Sequence, residues 1–225
     1  MKTLAVKFVK LIIGLTIMGF GMAMAVQANL GLSPWDVLND GVAGIMGVQI
    51  GTASILFGLV ILAIDLLFRE KVGFGTFINI LMIGGMCNVA LSLDIIPSYA
   101  LSEGLEHLAP RLALCVGSMF LMSFGMYLYM SVGLGAGPRD TLMVTLTKRL
   151  PLSVGGVRVI VEGLAFLIGW LLGGKVGLGS IVLVLLGGPI MELIFRAFKF
   201  NVKQLENQTI AQTIRDFRKA LSRAQ

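Results

Sequence analysis

Charged residues are scarce in this chain of 225 amino acids, where Asp, Glu, Lys and Arg together make up 13% of the sequence. An average soluble domain carries roughly 25%. Hydrophobic residues account for 56%, and the mean hydropathy is +0.92. So few polar side chains cannot cover a globule in water, which excludes a soluble protein. The length suits one membrane domain, residues 1–200, with no separate catalytic domain.

Residues that commonly carry reaction chemistry are also few. The one histidine, His107, falls in a loop, and the two cysteines, Cys87 and Cys115, lie inside apolar runs. None of them has the spacing of a metal site. The sequence contains no nucleophile–base pair and no phosphate-binding loop. We therefore expect neither an enzyme nor a metal or cofactor site.

Basic residues exceed acidic ones, 18 to 12, which gives a formal net charge of +6. Such a balance can indicate nucleic-acid binding. Here, however, the basic residues lie mostly between apolar runs and after residue 200, which is typical of charges that flank lipid. The predicted partner is the lipid bilayer, and we expect no nucleic acid.

Six apolar runs approach the ~20 residues that cross ~30 Å of hydrocarbon. They lie at about residues 8–28, 51–68, 74–93, 111–131, 153–172 and 176–195. Two further segments, 34–47 and 138–150, are predicted to be short helices. Neither is expected to cross the bilayer, because a dozen helical residues reach only about 18 Å.

The distribution of basic residues predicts the orientation. With the N-terminus in the cytoplasm, fifteen of the 18 Lys and Arg residues lie on the cytoplasmic side and two, Arg111 and Lys175, lie outside. Basic residues accumulate on the cytoplasmic side of membrane proteins. An eight-span alternative, in which the short helices also cross, fits this bias less well. We expect a multi-pass protein of a prokaryotic plasma (inner) membrane with both termini cytoplasmic.

The sequence matches itself without a gap at an offset of 104 residues (140 − 36 = 104). Segment 30–36 (LGLSPWD) matches 134–140 (LGAGPRD), and segment 71–76 (KVGFGT) matches 175–180 (KVGLGS). Matching Leu and Val could arise by chance, but matching Gly, Pro, Asp and Lys at one offset indicates a tandem repeat. The two copies span about 8–93 and 112–195.

Each copy contains three predicted spans, so the two copies must face opposite ways across the bilayer. Inverted repeats of this kind are common in secondary transporters, whose site lies near the repeat interface. The repeat also argues against cleavage of the first run as a signal peptide. The predicted fold is therefore all-α integral membrane, with six transmembrane helices as two inverted three-helix repeats, each with an additional short non-spanning helix.

Segments 30–36, 133–140 (GLGAGPRD) and 72–79 (VGFGTFIN) resemble the YczE/YitT-type family of bacterial membrane proteins. The resemblance covers about residues 8–195, and the Gly-x-Gly-Thr-x-x-Asn pattern that ends at Asn79 is its most specific part. The second repeat departs from that pattern at Ser180 and Leu183. The resemblance implies a multi-span membrane protein and brings no settled substrate.

A helix start in each repeat is the first candidate site. Ser33, followed by a proline and by Asp36, has the pattern of a capping box, and Gly137, Arg139 and Asp140 follow the same plan. Helix N-termini bind anions, and transporters aim them at substrate carboxylates. The simpler interpretation is a pair of interfacial helices in which Pro and Gly only shape the turn.

Charged residues inside the fifth run form the second candidate site. Arg158 and Glu162 are four residues apart and share one helix face. Charges at this depth are costly and mark functional sites. The alternative is an internal ion pair that locks the helices together. Asn79, in the third run, is expected to hydrogen-bond to a neighbouring helix.

Two further acidic residues, Asp65 and Glu192, lie near the ends of their runs. Each precedes an arginine by four residues, Arg69 and Arg196 respectively. This spacing predicts two interfacial ion pairs.

The C-terminal tail, 201–225, has a different character. Thr209 and Gln212 fit a capping box, and the residues that follow form a basic amphipathic helix. Such a helix is expected to dock on anionic lipid or on a partner protein.

The leading functional hypothesis is a secondary permease for a small solute, for which an anion is one candidate. Its binding site is expected at the interface of the two repeats. The alternative is a non-transporting scaffold or accessory protein that acts through its basic tail. A channel is a weaker third option, and a homodimer stays open. The predicted substrate-path residues are Arg158, Glu162, Ser33, Asp36, Gly137, Arg139, Asp140 and Asn79.

Overall fold

The computed structural model describes residues 2–70, 72–99, 107–151, 154–200, 208–209 and 212–215. Within these ranges the protein is all-helical and contains no strand. The main helices are α1 (Lys2–Ala28), α2 (Pro34–Met46), α3 (Ile50–Leu67), α4 (Phe74–Ser92), α5 (Leu108–Met130), α6 (Pro138–Arg149), α7 (Val154–Leu171) and α8 (Leu178–Ala197).

Five helices in the described part of the chain are long and apolar enough to cross a membrane. They are α1 (from Ala5), α3, α4, α5 and α8. The sequence predicts a sixth span at 153–172, which corresponds to α7. Within the described residues, its apolar part is the helix Val159–Leu171, which is shorter than the other five. The chain is thus a membrane protein with several apolar helices.

The two short helices begin where the sequence predicts. Pro34 and Pro138 occupy the first turns of α2 and α6, where a missing N–H costs no helical hydrogen bond. The helices contain 13 and 12 residues. At about 1.5 Å per residue, neither is long enough to cross ~30 Å of hydrocarbon.

Helices from the two sequence copies pack against each other. The closest pair is α1 and α5, where Gly14 and Gly125 face each other so tightly that a Cβ on Gly14 would lie 2.8 Å from the Gly125 carbonyl oxygen. Small residues allow this approach in a membrane, where helices pack without a hydrophobic driving force. In addition, α2 packs against α7 and α6 packs against α3. The interior of the protein is therefore built by both copies together.

Only one of the two predicted interfacial ion pairs forms. Glu192 accepts a 2.6 Å hydrogen bond from Arg196 on the surface of α8, as predicted. The prediction for Asp65 is wrong, because its side chain is fully buried and neither carboxylate oxygen has a hydrogen-bond partner among the described residues, while Arg69 is exposed. Asp65 ends up inside because it shares the buried face of α3 with Gly58, Ile61 and Leu62.

Candidate functional site: a polar cluster between the short helices

Two loops that lead into the short helices are held by the opposite sequence copy. The carbonyl of Leu30 accepts a hydrogen bond from the amide of Gly179 at 2.7 Å. The carbonyl of Leu134 accepts one from the amide of Gly75 at 2.9 Å. These two bonds join equivalent positions of the repeat (134 − 30 = 104 and 179 − 75 = 104). Each helix start is therefore positioned by residues from the other half of the chain.

At the start of α2, Ser33 and Asp36 contact each other directly. Ser33 is the N-cap residue, but its hydroxyl donates to the Asp36 carboxylate at 2.6 Å and does not cap the backbone. The predicted capping box is therefore wrong in detail, because the hydroxyl is oriented toward the nearby carboxylate, to which it donates a charge-assisted hydrogen bond. Asp36 is 3% exposed, so this carboxylate lies inside the protein.

At the start of α6, four residues converge. Asp140 accepts a 3.1 Å hydrogen bond from the Tyr129 hydroxyl. A Cβ on Gly137 would lie 3.4–3.5 Å from the side-chain oxygens of Asp140, Asn79 and Tyr129. Asn79 is therefore brought to the helix start from α4, and Tyr129 from α5.

Arg139 connects the two helix starts. Its guanidinium carbon lies 5.1 Å from the centre of the Trp35 ring, which is a cation–π distance, and one of its nitrogens lies 3.4 Å from the Ser54 hydroxyl. Asp36 and Asp140 are both close enough to attract its charge. In the sequence, Arg139 was counted among the basic residues on the cytoplasmic side. The structure instead places its guanidinium against residues of α2 and α3.

Together these residues form the central cluster, which consists of Ser33, Trp35, Asp36, Asn79, Tyr129, Gly137, Arg139 and Asp140. It contains one guanidinium and two carboxylates between helices of both sequence copies. Such a group can bind a small polar or charged molecule by hydrogen bonds and ionic contacts. Within the described residues, no group of three or more His, Cys, Asp or Glu could hold a metal ion.

A buried amide next to the cluster was not predicted. Asn39 lies one turn after Asp36 on α2 and is fully buried, yet its side-chain oxygen and nitrogen have no hydrogen-bond partner in the described part of the protein. Buried amides normally form hydrogen bonds, and an exception needs an explanation such as a binding site.

The other predicted pair lies on α7, which packs against α2 and α6. Glu162 is half-buried. The side chain of Arg158 lies outside the described residues, so their predicted contact remains a prediction. The structure therefore brings together six of the eight predicted path residues.

Tyr129 and Trp35 were not predicted as members of the site. Two signals were available. Tyr129 is a tyrosine in an apolar run, and a buried hydroxyl needs a partner. Trp35 occupies the repeat position equivalent to Arg139 (139 − 35 = 104), but only the structure shows that the two residues touch.

The helices and the cluster define a class, namely a multi-span helical membrane protein with a polar site between two short internal helices. Comparison with known sequences gives the family. The chain belongs to DUF6198, a family of unknown function, whose match covers residues 5–196. The C-terminal tail lies beyond that match.

Three relatives are similar over most of their length. An uncharacterized protein of Haemophilus influenzae is 33% identical over 182 residues, which cover 81% of this chain and 80% of the relative. YczE, an uncharacterized membrane protein of Bacillus subtilis, is 30% identical over 188 residues and 80% of each chain. YyaS of the same organism is 23% identical over 182 residues, 80% of this chain and 88% of the relative. The resemblance to YczE-type proteins is confirmed. No solved structure matches the chain.

Proposed function

We propose that the two sequence copies form an inverted repeat of three spans each, with α7 as the sixth span and both termini in the cytoplasm of a prokaryotic cell. The contact between Trp35 and Arg139 supports this arrangement. These residues occupy equivalent repeat positions, and equivalent positions touch each other only close to the axis that relates the two copies. The equivalent hydrogen bonds of Leu30 and Leu134 to the opposite copy support it as well.

The proposed function is a secondary permease for a small solute, with the central cluster as its binding site. The observation that carries this proposal is the contact of Arg139 with Trp35 of the other copy, where Asp36 and Asp140 attract its charge. Transporters with inverted repeats bind substrate at this interface, beside interrupted helices. An anionic group on the solute would compete with the two carboxylates for the one guanidinium.

The alternative is a scaffold or accessory protein that acts through the tail after residue 200. The predicted capping pair of Thr209 and Gln212 forms, since the Thr209 amide donates to the Gln212 side chain at 2.8 Å. Deletion of 201–225 would abolish the function of a scaffold, whereas a permease would keep its central cluster intact.

An uptake experiment tests the proposal. Proteoliposomes containing the purified protein should accumulate at least one compound from a mixture of bacterial metabolites, measured by mass spectrometry, and the initial rate should saturate with concentration. A rate that rises linearly without saturation would indicate a channel. Uptake no greater than that of protein-free liposomes would contradict transport and favour the scaffold.

Glu162 and Arg158 remain proposed members of the path. Glu162→Gln should change the uptake rate or its pH dependence while folded protein remains in the membrane, because a carboxyl within a membrane span that lies on a solute path takes part in binding or proton exchange. Glu192→Gln, at an exposed glutamate of α8, is the matched control and should leave uptake unchanged. If Arg158→Met with Glu162→Leu gives a stable and fully active protein, these residues have only a structural role.

A further inference from the structure

The two sequence copies differ in how their last two helices pack. In the first copy, α3 packs along α4, and a Cβ on Gly58 would lie 3.6 Å from the Cβ of Ile80. Farther along the same contact, a Cβ on Gly84 would lie 2.7 Å from a side-chain carbon of Ile55. This contact between α3 and α4 is the first seam, and it is closed.

The equivalent seam of the second copy, between α7 and α8, is open. In the described part of the chain, α7 does not pack along α8. Val184, the repeat equivalent of Ile80 (184 − 80 = 104), is 58% exposed, against 5% for Ile80. Gly188, the equivalent of Gly84, is exposed, and an added Cβ would meet no described residue within 4 Å. Equivalent positions thus form a helix contact in one copy and a gap in the other.

Both α3 and α7 also touch the short helix of the opposite copy, and here the asymmetry is reversed. A Cβ on Gly41 of α2 would lie 2.7 Å from the Gly169 carbonyl oxygen of α7. The equivalent positions on α6 and α3 are Thr145 and Asp65, whose buried side chains fill the space that the two glycines leave free. Small residues let helices approach closely, so α7 lies near α2 while α3 lies near α4. Each of these two helices therefore has two alternative partners.

The residues that border the gap are suited to a contact. Glycine inside a helix costs roughly 0.5–1 kcal/mol relative to alanine, and Gly188 has no role in an open seam. Glu162 is the repeat equivalent of Gly58, which faces α4, so Glu162 lies on the side of α7 that faces the gap. A carboxyl at this depth is costly in lipid, and closure of the seam would cover it with α8.

We propose that the second seam is an access gate of the permease. It closes when α7 shifts from α2 toward α8, and in the same step α3 shifts from α4 toward α6, which opens the first seam. Small shifts between packed helices are an established form of conformational change. This assignment rests on the proposed inverted repeat and transport function. In such a repeat, an exchange of conformation between the two copies converts access from one side of the membrane into access from the other.

Disulfide formation in proteoliposomes measures whether each seam closes. Cys87 and Cys115 are first replaced by alanine. Gly58→Cys with Ile80→Cys is the reference pair, because its Cβ separation of 3.6 Å lies within the range of about 3.5–4.5 Å found in disulfides. Rapid formation of this disulfide also shows that the oxidant reaches thiols inside the membrane domain.

The test pair is Val159→Cys with Gly188→Cys, the repeat equivalents of Ile55 and Gly84. Val159 is 73% exposed and Gly188 is exposed, so both positions can accept a thiol without a clash. The test pair should form a disulfide within one molecule, about 10–1,000 times more slowly than the reference pair, as expected for a minor state populated at roughly 0.1–10%. Its absence from folded protein, over times beyond this range, would overturn the gate.

A variant with all four cysteines tests the exchange between the seams. Once the faster reference disulfide has formed, α3 is held against α4. The disulfide between positions 159 and 188 should then form about tenfold more slowly than in the variant that carries this pair alone, a typical coupling between two sites. An unchanged rate would overturn the exchange.

Gly188→Cys alone is the control for a second copy of the chain. Crosslinking of this variant between two molecules, as fast as the reference pair reacts, would assign the gap to a homodimer interface and overturn the gate. None of these measurements requires a solute. If uptake fails while the disulfides form as expected, the proposed function is wrong but the exchange between the two seams stands.

Discussion

Arg139→Gln is expected to destabilise the protein and to abolish uptake. The substitution removes the only positive charge of the central cluster and leaves Asp36, which is 3% exposed, and Asp140 without the charge that attracts them. A buried charge that is left uncompensated costs about 3–5 kcal/mol, and Asp36 is such a charge. A thiol-reactive dye can follow thermal unfolding in detergent, because the free cysteines, Cys87 and Cys115, are both buried and react only when the protein opens.

Two further variants separate stability from function. Arg196→Gln removes an arginine from an exposed pair on α8 and should change neither the unfolding temperature nor uptake appreciably. Arg139→Gln combined with Asp36→Asn removes one of the excess negative charges and should recover much of the unfolding temperature. Uptake should stay absent in this stable double variant. If uptake returns with stability, Arg139 is a structural residue and the proposed site is wrong.

Gly31→Ala should have a comparably large effect on stability. Gly31 has a φ of +110°, which residues with a side chain rarely adopt, and an added Cβ would overlap the amide nitrogen of Gly177 and lie 2.6 Å from the Ser180 hydroxyl oxygen. Backbone strain of about 1–3 kcal/mol and overpacking of about 1–3 kcal/mol both act against the folded state. The unfolding temperature measured with the same dye should fall strongly.

Gly44→Ala is the matched control, because Gly44 lies inside α2 and an added Cβ would meet nothing within 4 Å. It should be neutral or stabilise the protein by roughly 0.5–1 kcal/mol. Equal unfolding temperatures for the two variants would show that loop 29–33 is not held against segment 175–180, which would remove the support for the start of α2.

The local features of the fold were predictable from the sequence. Pro34 and Pro138 mark the first turns of α2 and α6, because proline fits where no helical hydrogen bond is lost. The apolar runs predicted the long helices within a few residues, since length and composition determine what can cross a bilayer. The capping pair of Thr209 and Gln212 depends only on neighbours in sequence and was also predicted correctly.

Features that depend on tertiary contacts were less predictable. A helical spacing of four placed Asp65 beside Arg69, but α3 ends at Leu67, so Arg69, with a φ of +59°, lies beyond the helix and is exposed while Asp65 is buried. Similarly, the contact between Trp35 and Arg139 joins residues far apart in sequence. The repeat made them equivalent, but their proximity depends on how the two copies pack.

The proposed site requires that the two copies face opposite ways, and labelling of equivalent loop positions tests this orientation most directly. Lys71 and Lys175 occupy the same place in the repeat (175 − 71 = 104). In intact cells that express a variant lacking Cys87 and Cys115, a membrane-impermeant maleimide should label Lys175→Cys and should not label Lys71→Cys. After permeabilisation both positions should react. Labelling of both positions, or of position 71 alone, from outside intact cells would contradict the inverted repeat and the site proposed at its interface.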